Sequence, residues 1–255
     1  VEDYKVNIFT PKGIKLDTAA LIGKSAEEID NLAARIDSTS QVRPVKSLAE
    51  AIGIKRIDIS AGTFTFQRHE GVNNNGYRIA ETEFTNGHFR ALFEKEPDGL
   101  KEIIENPMKF LLASLKISAE EGTAKKEESP LVNINQIKAT AIAELIGMRL
   151  PTDLERERAA AYTDGREYPW GNGWDPSRVT FNDKGTRSVY SHREGASHEG
   201  VLDLSGNVYE WTSTPYGKID FTDPNNPVFL NTSNSFSLRG GSWGSRNRDS
   251  LDGSY

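Results

Sequence analysis

Cysteine is absent from this chain of 255 residues. Without thiols the protein has no disulfide and no soft sulfur ligand for a metal such as Cu(I). Its stability must therefore come from a packed core, and a chain of this length buries enough apolar surface to form one. The absence of cysteine does not indicate the cellular compartment of the protein, because secreted proteins also fold without disulfides.

Histidine is scarce and long apolar runs are missing. The four histidines are His69, His88, His192 and His198, and no two of them have the short spacing of a metal-binding pair on a helix. We interpret them as solvated or capping side chains. The most apolar run, Phe110 to Leu115, spans six residues and is too short to cross a bilayer.

Positive charge is not concentrated in any part of the chain. The formal net charge is -6, and the basic residues are spread along the sequence. A dedicated nucleic-acid-binding protein is usually basic or carries its basic residues in a cluster. Composition therefore predicts a globular protein that neither inserts into a membrane nor binds nucleic acid.

The first 53 residues differ from the rest of the chain. Two Ser-x-x-Glu capping boxes, which satisfy free amide donors at a helix start, predict two short helices. These boxes are Ser25 with Glu28 and Ser47 with Glu50. The second helix is expected to stop at Gly53. We predict that residues 1–53 form an N-terminal extension packed on a main domain of residues 54–255, with an assembly or attachment device as the alternative role.

Regular patterns continue in the main domain. Residues 57–66 alternate between apolar and polar side chains and predict a hairpin whose turn is at Gly62. Two helices are predicted further on, one after Asn86 and one that ends at Gly147. Their inward-facing residues are Phe89, Leu92 and Phe93 in the first, and Ala139, Ile142, Ala143 and Ile146 in the second. A short helix is also predicted around Met108 to Leu115.

Four motifs resemble one family. They are RLPTDLE at 149–155, where Thr152 and Glu155 form a third capping box, YPWGN at 168–172, SGNVYEWT at 205–212 and LRGGSW at 238–243. Together they are similar to the formylglycine-generating-enzyme, or sulfatase-modifying factor, family. The resemblance implies an α+β C-type lectin fold of the formylglycine-generating-enzyme type. It covers the chain from Ile57 onward and departs at Arg156 and Arg158, where large aromatics are usual.

The resemblance does not carry the family's oxidase chemistry to this chain. Its oxidases bind copper through two cysteines shortly after the Gly-Gly-Ser-aromatic run, and those places fall on Ser245 and Ser250. A hydroxyl has neither the low pKa nor the softness of a thiol. The related iron-dependent sulfoxide synthases take their metal from a separate domain with three histidines. We therefore expect no copper, no iron and no enzymatic activity.

A calcium site is implied by the same resemblance. Asp203, Gly206, Val208 and Glu210 fall where the family holds a calcium ion with two side-chain oxygens and two backbone carbonyls. Calcium prefers about six to eight hard oxygen ligands, and a tight turn at the glycine lets such oxygens converge. We expect any such ion to be structural. The alternative is that the two carboxylates cap the turn and pair with arginines such as Arg239.

The tail after Trp243 carries the functional prediction. The variable proteins of diversity-generating retroelements are similar to this scaffold, with variation that begins after a Gly-Gly-Ser/Asn-Trp run. All residues of 244–255 are types reachable by changing the first two bases of an asparagine codon. Arginine and tyrosine supply contact energy, and small polar residues supply adaptable hydrogen bonds. The expected ligand-binding residues are Gly244, Ser245, Arg246, Asn247, Arg248, Asp249, Ser250, Asp252, Ser254 and Tyr255.

The sequence therefore predicts a ligand-binding display protein. Its tail would be diversified by a retroelement to bind a protein or other macromolecule, and display on a cell or virion surface or outside the cell is expected. The glycines before Trp243 suit close backbone approach, and its ring suits the core. Two alternatives stay open: an enzyme of unknown chemistry, which would need a pocket with an acid or base such as Glu210 or Asp249, and a non-catalytic structural domain. Family members usually continue to a final strand that ends in Gly-Phe-Arg, and none follows Tyr255.

Overall fold

The computed structural model describes the backbone at residues 8–9 and 15–16, and then residues 47–94, 127–223 and 225–252. The chain divides into two units, Val1–Ser47 and Leu48–Tyr255. In the smaller unit, strand β1 (Ile8–Phe9) pairs antiparallel with strand β2 (Lys15–Leu16). Several predictions lie outside the described residues: the helix at Ser25, the helix over residues 108–115, and the last two patch residues, Ser254 and Tyr255.

Helix α1 (Leu48–Ala51) begins directly after Ser47, and the chain turns at Gly53 with φ +94°. Ala49, Ile52 and Ile54 are buried and pack against two residues from other helices, Leu92 and Ile146. This apolar contact joins the helix to the larger unit. The division of the chain therefore lies before α1, whereas the sequence had placed this helix in the extension.

Six strands of the larger unit form three antiparallel pairs. Their bounds are β3 (Arg56–Ile59), β4 (Gly62–Phe66), β5 (His69–Asn74), β6 (Tyr77–Ala80), β7 (Glu210–Asp220) and β8 (Val228–Arg239). β3 pairs with β6, β4 with β5, and β7 with β8. The predicted hairpin over residues 57–66 is wrong, because β3 and β4 each pair with a different strand. The tight turn lies after β4, where Gln67 and Arg68 both have positive φ.

The predicted helices are confirmed where the structure describes them. Helix α2 (Asn86–Glu94) buries Phe89 and Leu92, while the side chain of Phe93 lies outside the described residues. Helix α3 (Gln136–Leu145) begins at Asn135, whose side chain accepts a hydrogen bond from the Lys138 amide, and its last turn is followed by Gly147 with φ +73°. Within the described residues no helix is long and apolar enough to span a bilayer.

Helix α4 (Asp153–Ala161) is the buried centre of the unit. The predicted capping box is present, because the Thr152 hydroxyl accepts from the Glu155 amide and the Glu155 carboxylate accepts from the Thr152 amide. Seven of its nine residues are buried although five of the nine are charged. Such a helix is stable only if each buried charge has a partner. Those partners come from the C-terminal half of the chain and define the candidate site.

The β7–β8 hairpin lies over the β4–β5 pair. Phe64, Phe66 and Val72 form a buried cluster, against which Ile219 and Phe229 of the hairpin pack. The Phe66 and Phe229 rings meet edge to face with centroids 6.0 Å apart. This contact anchors the hairpin and leads the chain from β8 into the Gly-Gly-Ser-Trp run.

Candidate functional site

The glycine turn, residues 203–211, is held tightly by its neighbours. Gly206 has φ +84°, and a Cβ there would lie 2.4 Å from the Val179 side chain and 2.5 Å from the Thr180 carbonyl oxygen. Its amide donates to the Gly240 carbonyl at 2.7 Å. Because both the space and the φ value exclude a side chain, only glycine fits here. The turn thus ties the β7 strand to the run that precedes the tail.

Asn207 is fully buried at the centre of this turn. Its side-chain amide donates to Glu83 Oε2 at 2.7 Å, and its Oδ1 accepts from the Arg187 amide at 3.0 Å. Glu83 Oε1 also accepts from the Val208 amide at 3.1 Å. Glu83 was missed by sequence reasoning, because nothing in its local pattern marks a buried carboxyl group. It bridges the start of α2 to the turn.

Two buried carboxyl groups at the turn have raised pKa values. Burial, followed by the charges of Asp203 and Glu210, raises the pKa of Glu83 well above its usual value. Burial and then the Glu210 charge raise the pKa of Asp203 to about 8. The cause is the same in both cases: neighbouring carboxylates repel, and the site is shielded from water.

Arg156 supplies the positive charge at this cluster. The residue is 1% exposed, and its Nε and Nη2 atoms donate to Glu210 Oε2 at 2.8 and 2.6 Å. Nη2 also donates to the Leu204 carbonyl at 2.6 Å. A Cβ at Gly240 would lie 2.3 Å from Nη2, so this glycine makes room for the guanidinium. Arg156 stands where the family usually has a large aromatic residue, and here it forms a buried ion pair with Glu210.

The arrangement bears directly on the expected calcium site. Asp203, Gly206, Val208 and Glu210 do lie around one turn, but Glu210 is held by a guanidinium, and its arginine partner is Arg156 and not Arg239. A calcium ion fits only if Glu210 exchanges Arg156 for the ion. In the part of the chain that the structure describes, no group of three or more His, Cys, Asp or Glu residues is placed to hold a metal ion. Calcium binding stays a prediction.

Two further buried ion pairs involve α4. Arg158 Nη1 donates to Glu199 Oε1 at 2.6 Å, and Arg239 Nη2 donates to Glu157 Oε2 at 2.7 Å. Burial raises the pKa of Glu157 to about 7, although Arg239 opposes the shift. We call the charged residues on and around α4 the charged frame. Its members are Glu83, Arg156, Glu157, Arg158, Glu199, Asp203, Glu210 and Arg239.

The tail patch, residues 244–252 as described, follows Trp243, and most of its residues are exposed or partly buried. Gly244 and the four residues 246–249 are exposed, while Ser245, Ser250 and Asp252 are partly buried. A short 3₁₀ helix, Arg248–Leu251, is capped by Asn247, whose Oδ1 accepts from the Asp249 amide at 3.2 Å. Leu251 is fully buried, and its carbonyl accepts from the Ser205 hydroxyl at 2.6 Å. One buried leucine thus pins an otherwise exposed loop.

Trp243 differs from its sequence-based prediction. The residue is 36% exposed, so the expectation of a core ring is wrong. Its peptide groups make the attachment: the amide donates to the Asn207 carbonyl at 2.8 Å, and its carbonyl accepts from the Asp183 amide at 2.8 Å. Because the backbone holds this position, the ring is left at the surface beside the tail patch.

Ser245 and Ser250, which stand where the family's oxidases have their copper-binding cysteines, stabilise local turns. Ser245 Oγ accepts from the Ser242 amide at 3.0 Å, and Ser250 Oγ donates to the Asn247 carbonyl at 2.8 Å.

The four histidines lie apart from one another and make separate local contacts. His88 Nδ1 accepts from the Thr85 amide at 3.2 Å, His192 Nδ1 lies 2.8 Å from the Ser177 carbonyl, His69 stacks on Phe221 and His198 lies against Tyr162.

A cavity of about 760 Å³ borders the glycine turn. Apolar residues of β6, α3 and the 130–134 segment line part of it, and Glu83, Arg156 and Glu210 also line it. Asp249 does not line it, because that residue lies in the exposed tail patch. The cavity thus combines an apolar wall with the carboxylates of the charged frame.

The fold and the glycine turn define an α+β domain of the formylglycine-generating-enzyme type. The model of the sulfatase-modifying factor enzyme 1-like domain matches residues 38–253, and the chain belongs to this family. The match covers the larger unit and begins inside the predicted extension. The sequence-based prediction of family and fold type is confirmed.

Several known proteins are similar to this chain. The serine/threonine-protein kinase Pkn1 of Chlamydia trachomatis is 30% identical over 224 residues, which cover 82% of this chain and 36% of the kinase. The inactive C-alpha-formylglycine-generating enzyme 2 of Bos taurus is 34% identical over 39% of this chain and 37% of its own length. Hercynine oxygenase of Mycolicibacterium smegmatis is 32% identical over 46% of this chain and 31% of its own length. The chain thus spans about a third of each of these relatives.

Among solved structures, Treponema denticola variable protein 1 has a similar fold. The TM-score is 0.56 with 16% sequence identity, and the match covers 79% of this chain and 88% of that protein. At this identity the likeness shows the fold. The relatives include one protein named inactive and one named an oxygenase, so family membership leaves the question of catalysis to the site itself.

Proposed function

We propose that this protein is a non-catalytic, ligand-binding display protein whose tail patch binds a protein or other macromolecule. The observation that carries the proposal is the contrast at residue 243. Before it, Arg239, Gly240 and Gly241 are buried; after it, Gly244 and residues 246–249 are exposed. A surface of this kind changes its side chains without disturbing what lies beneath.

The tail patch has the composition of a recognition surface. Arg246 and Arg248 are exposed long side chains that carry charge and planar hydrogen-bonding groups, and the Arg248 guanidinium lies 5.6 Å from the centre of the Trp174 ring. Arginine and tryptophan are enriched among the residues that dominate binding energy. The partly exposed Trp243 ring adds apolar area at the edge of the patch. Small neighbours such as Gly244 and Ser245 leave room for a partner to approach.

Diversification of this patch by a retroelement is the finer part of the proposal. It is supported by the asparagine-codon pattern of residues 244–255 and by the likeness in fold to a protein named a variable protein. The absence of thiols at Ser245 and Ser250 and the relationship to an inactive formylglycine-generating enzyme 2 support a role without copper chemistry. Under this proposal the ligand lies on a cell or virion surface.

A library experiment tests the binding role. Codons 244 and 246–249 are replaced by a set derived from the asparagine codon, and the displayed library is selected against a panel of unrelated proteins. The proposal predicts binders of different specificity that keep the parental melting temperature. The matched control diversifies five exposed residues of another surface, 223, 225, 226, 228 and 230. Equal success of the control library, or unfolding of most tail variants, would contradict the proposal.

An enzyme of unknown chemistry is the second candidate, and the cavity of about 760 Å³ favours it. Glu210 lines that cavity and is the acid or base that such chemistry would need. The candidate predicts that a small molecule bound there is turned over and that Glu210→Gln abolishes turnover while binding persists. Binding without turnover across a broad metabolite screen would leave the display role as the better account.

A further inference from the structure

Three asparagines of this chain are directly followed by glycine: Asn75, Asn86 and Asn172. Asparagine is among the chemically labile residues of proteins. A following glycine adds to this lability, because without a side chain its backbone nitrogen can approach the asparagine side chain. The reacting atoms are then the glycine nitrogen and the asparagine Cγ. All three pairs contain these atoms, so their surroundings in the fold decide which pair reacts.

Hydrogen bonds restrain two of the three pairs. Asn86 is the first residue of α2, and the amide of Gly87 donates to the Glu127 carbonyl at 2.8 Å. Asn172 is exposed, but its Oδ1 accepts from the Glu167 amide at 2.9 Å. In the first pair the attacking nitrogen is engaged, and in the second pair the side chain is held. Each bond has to break before the nitrogen reaches Cγ, and this slows the reaction.

Asn75 and Gly76 have neither restraint. They link the end of β5 to the start of β6, and both residues are exposed. Within the part of the chain that the structure describes, the Gly76 amide and the Asn75 side chain make no hydrogen bond. The attacking nitrogen and the carbon that it attacks are therefore both available, and solvent reaches them.

The residues on either side of this link are anchored. Asn74 is 5% exposed, and its side-chain amide donates to the Ser60 carbonyl at 3.0 Å. Tyr77 lies opposite Ile59 in the β3–β6 pair, and its hydroxyl donates to the Glu155 carbonyl of α4. A change in the length of the main chain between Asn74 and Tyr77 therefore acts on two strands that are fixed at their ends.

We propose that Asn75 is a site of spontaneous deamidation, with water as the co-reactant. The Gly76 nitrogen loses its proton to solvent and bonds to Asn75 Cγ, while the side-chain nitrogen takes up a proton and leaves as ammonia. The resulting cyclic imide has two carbonyl groups. Water adds to one of them and breaks its bond to the Gly76 nitrogen. Attack at Cγ gives aspartate, and attack at the main-chain carbonyl gives isoaspartate.

The reaction consumes one water and releases one ammonia, and no oxidant or reductant is involved. Both products add a negative charge to the link between β5 and β6. Isoaspartate also lengthens the main chain by one methylene group. Because the link lies outside the tail patch, this proposal does not depend on the display role.

A single incubation compares the three pairs. The protein is kept in mildly alkaline buffer, folded in one sample and unfolded in guanidinium chloride in another. Peptide mass spectrometry follows the replacement of each side-chain amide by a hydroxyl. In the unfolded sample we expect similar rates at the three sites. In the folded sample Asn75 should react several-fold faster than Asn172 or Asn86. A folded-state rate at Asn75 no greater than the rates at the other two sites overturns the proposal.

Asn75→Gln is the matched variant, because it keeps an exposed amide but has to form a larger ring. It should lose the reaction at position 75 and leave the rates at Asn86 and Asn172 unchanged. An isoaspartate-specific carboxyl methyltransferase detects the rearranged product. We expect it to methylate the aged wild-type protein, and neither aged Asn75→Gln nor freshly purified Asn75→Asp. Equal methylation of aged wild type and aged Asn75→Gln would place the isoaspartate elsewhere and contradict the proposal.

Discussion

The charged frame and the tail patch both contain arginine and aspartate, yet these residues are buried in the frame and mostly exposed in the patch. Arg156 is 1% exposed and makes three charge-assisted hydrogen bonds, whereas Arg246 is exposed and makes no bond of that kind among the described residues. In the frame, polar atoms are bonded to distant parts of the chain. In the patch, the side chains of Ser245, Asn247 and Ser250 bond to residues two or three positions away. The arginines of the two regions thus differ in burial and in the partners that they bond.

The largest expected difference between the two regions is at their arginines. Arg156→Ala leaves Glu210 and the Leu204 carbonyl without their partner, and loss of one member of a buried ion pair costs about 3–5 kcal/mol. Arg246→Ala, the matched control in the patch, should change the free energy of unfolding by no more than about 0.5 kcal/mol. Urea denaturation of both variants measures the difference. Similar small losses in the two would remove the distinction between frame and patch.

Two glycines allow the same comparison of frame and patch with a smaller change, the addition of a single methyl group. A Cβ at Gly240 would lie 2.3 Å from Arg156 Nη2, and the residue has φ +91°. Gly244 has open space around it, with Ser242 Oγ at 3.9 Å as the nearest atom. We expect Gly240→Ala to cost about 2–3 kcal/mol from strain and displacement of the guanidinium, and Gly244→Ala to cost less than about 0.5 kcal/mol. Equal melting temperatures for the two variants would contradict the packing described for Arg156.

The buried carboxyl groups of the frame predict that the stability of the protein depends on pH. Because the pKa of Asp203 is raised from 3.8 to about 8, the folded protein keeps a proton that the unfolded chain has lost. The free energy of unfolding should therefore fall as pH rises from about 4 to about 8. Glu83 acts in the same direction.

Asp203→Asn tests this dependence, since the amide resembles the protonated carboxyl group. We expect it to raise stability at pH 8 by about 1–2 kcal/mol and to flatten the slope. Asp175→Asn, at an exposed aspartate, is the control and should leave the slope in this window unchanged. If the wild-type protein becomes more stable between pH 5 and pH 8, the prediction of a raised pKa at Asp203 is wrong.

Trp243 lies at the border between the two regions. With its ring about a third exposed, Trp243→Ala should cost about 1–2 kcal/mol, since only part of the ring area is removed from a packed surface. Phe66→Ala, at a fully buried ring, should cost about 3–5 kcal/mol. Thermal unfolding of the pair measures both. A loss at Trp243 as large as that at Phe66 would place the ring in the core after all.

The smallest expected effect concerns calcium. Because calcium has to displace the Arg156 guanidinium from Glu210, we expect a chelator to lower the melting temperature by only about 1–2 °C. Ligands that bind only the folded state raise this temperature by mass action. A clear fall with chelator that calcium reverses, and that is absent in Glu210→Gln, would show that the ion replaces the guanidinium.

Local sequence patterns predicted the helices and strands of this fold better than they predicted which elements and side chains contact one another. The capping box at Thr152 and the glycine after α3 satisfy their own backbone, so neighbouring residues suffice to find them. Strand pairing depends on distant residues. The alternation over residues 57–66 therefore predicted strands correctly, but it did not show that β3 pairs with β6 and β4 with β5. The family motifs located the glycine turn and the tail. They did not reveal the partner of Arg156, which lies 54 positions away in the sequence.

Local sequence patterns also did not predict which side chains are exposed and which are buried. The Gly-Gly-Ser-Trp run indicated close backbone approach correctly at Gly240 and Gly241, but an aromatic residue alone does not reveal which side of a backbone it occupies. Glu83 carries no local sign of burial, because its partners are the Asn207 side chain and the Val208 amide.

The most direct test of a constant charged frame and a variable tail patch is the natural variation of the gene. Many copies sequenced from the source population would show where substitutions fall. The account predicts that they concentrate in adenine-bearing codons of residues 244–255, while codons for Arg156, Gly240 and Leu251 stay constant. An invariant tail, or substitutions spread evenly over frame and patch, would contradict it.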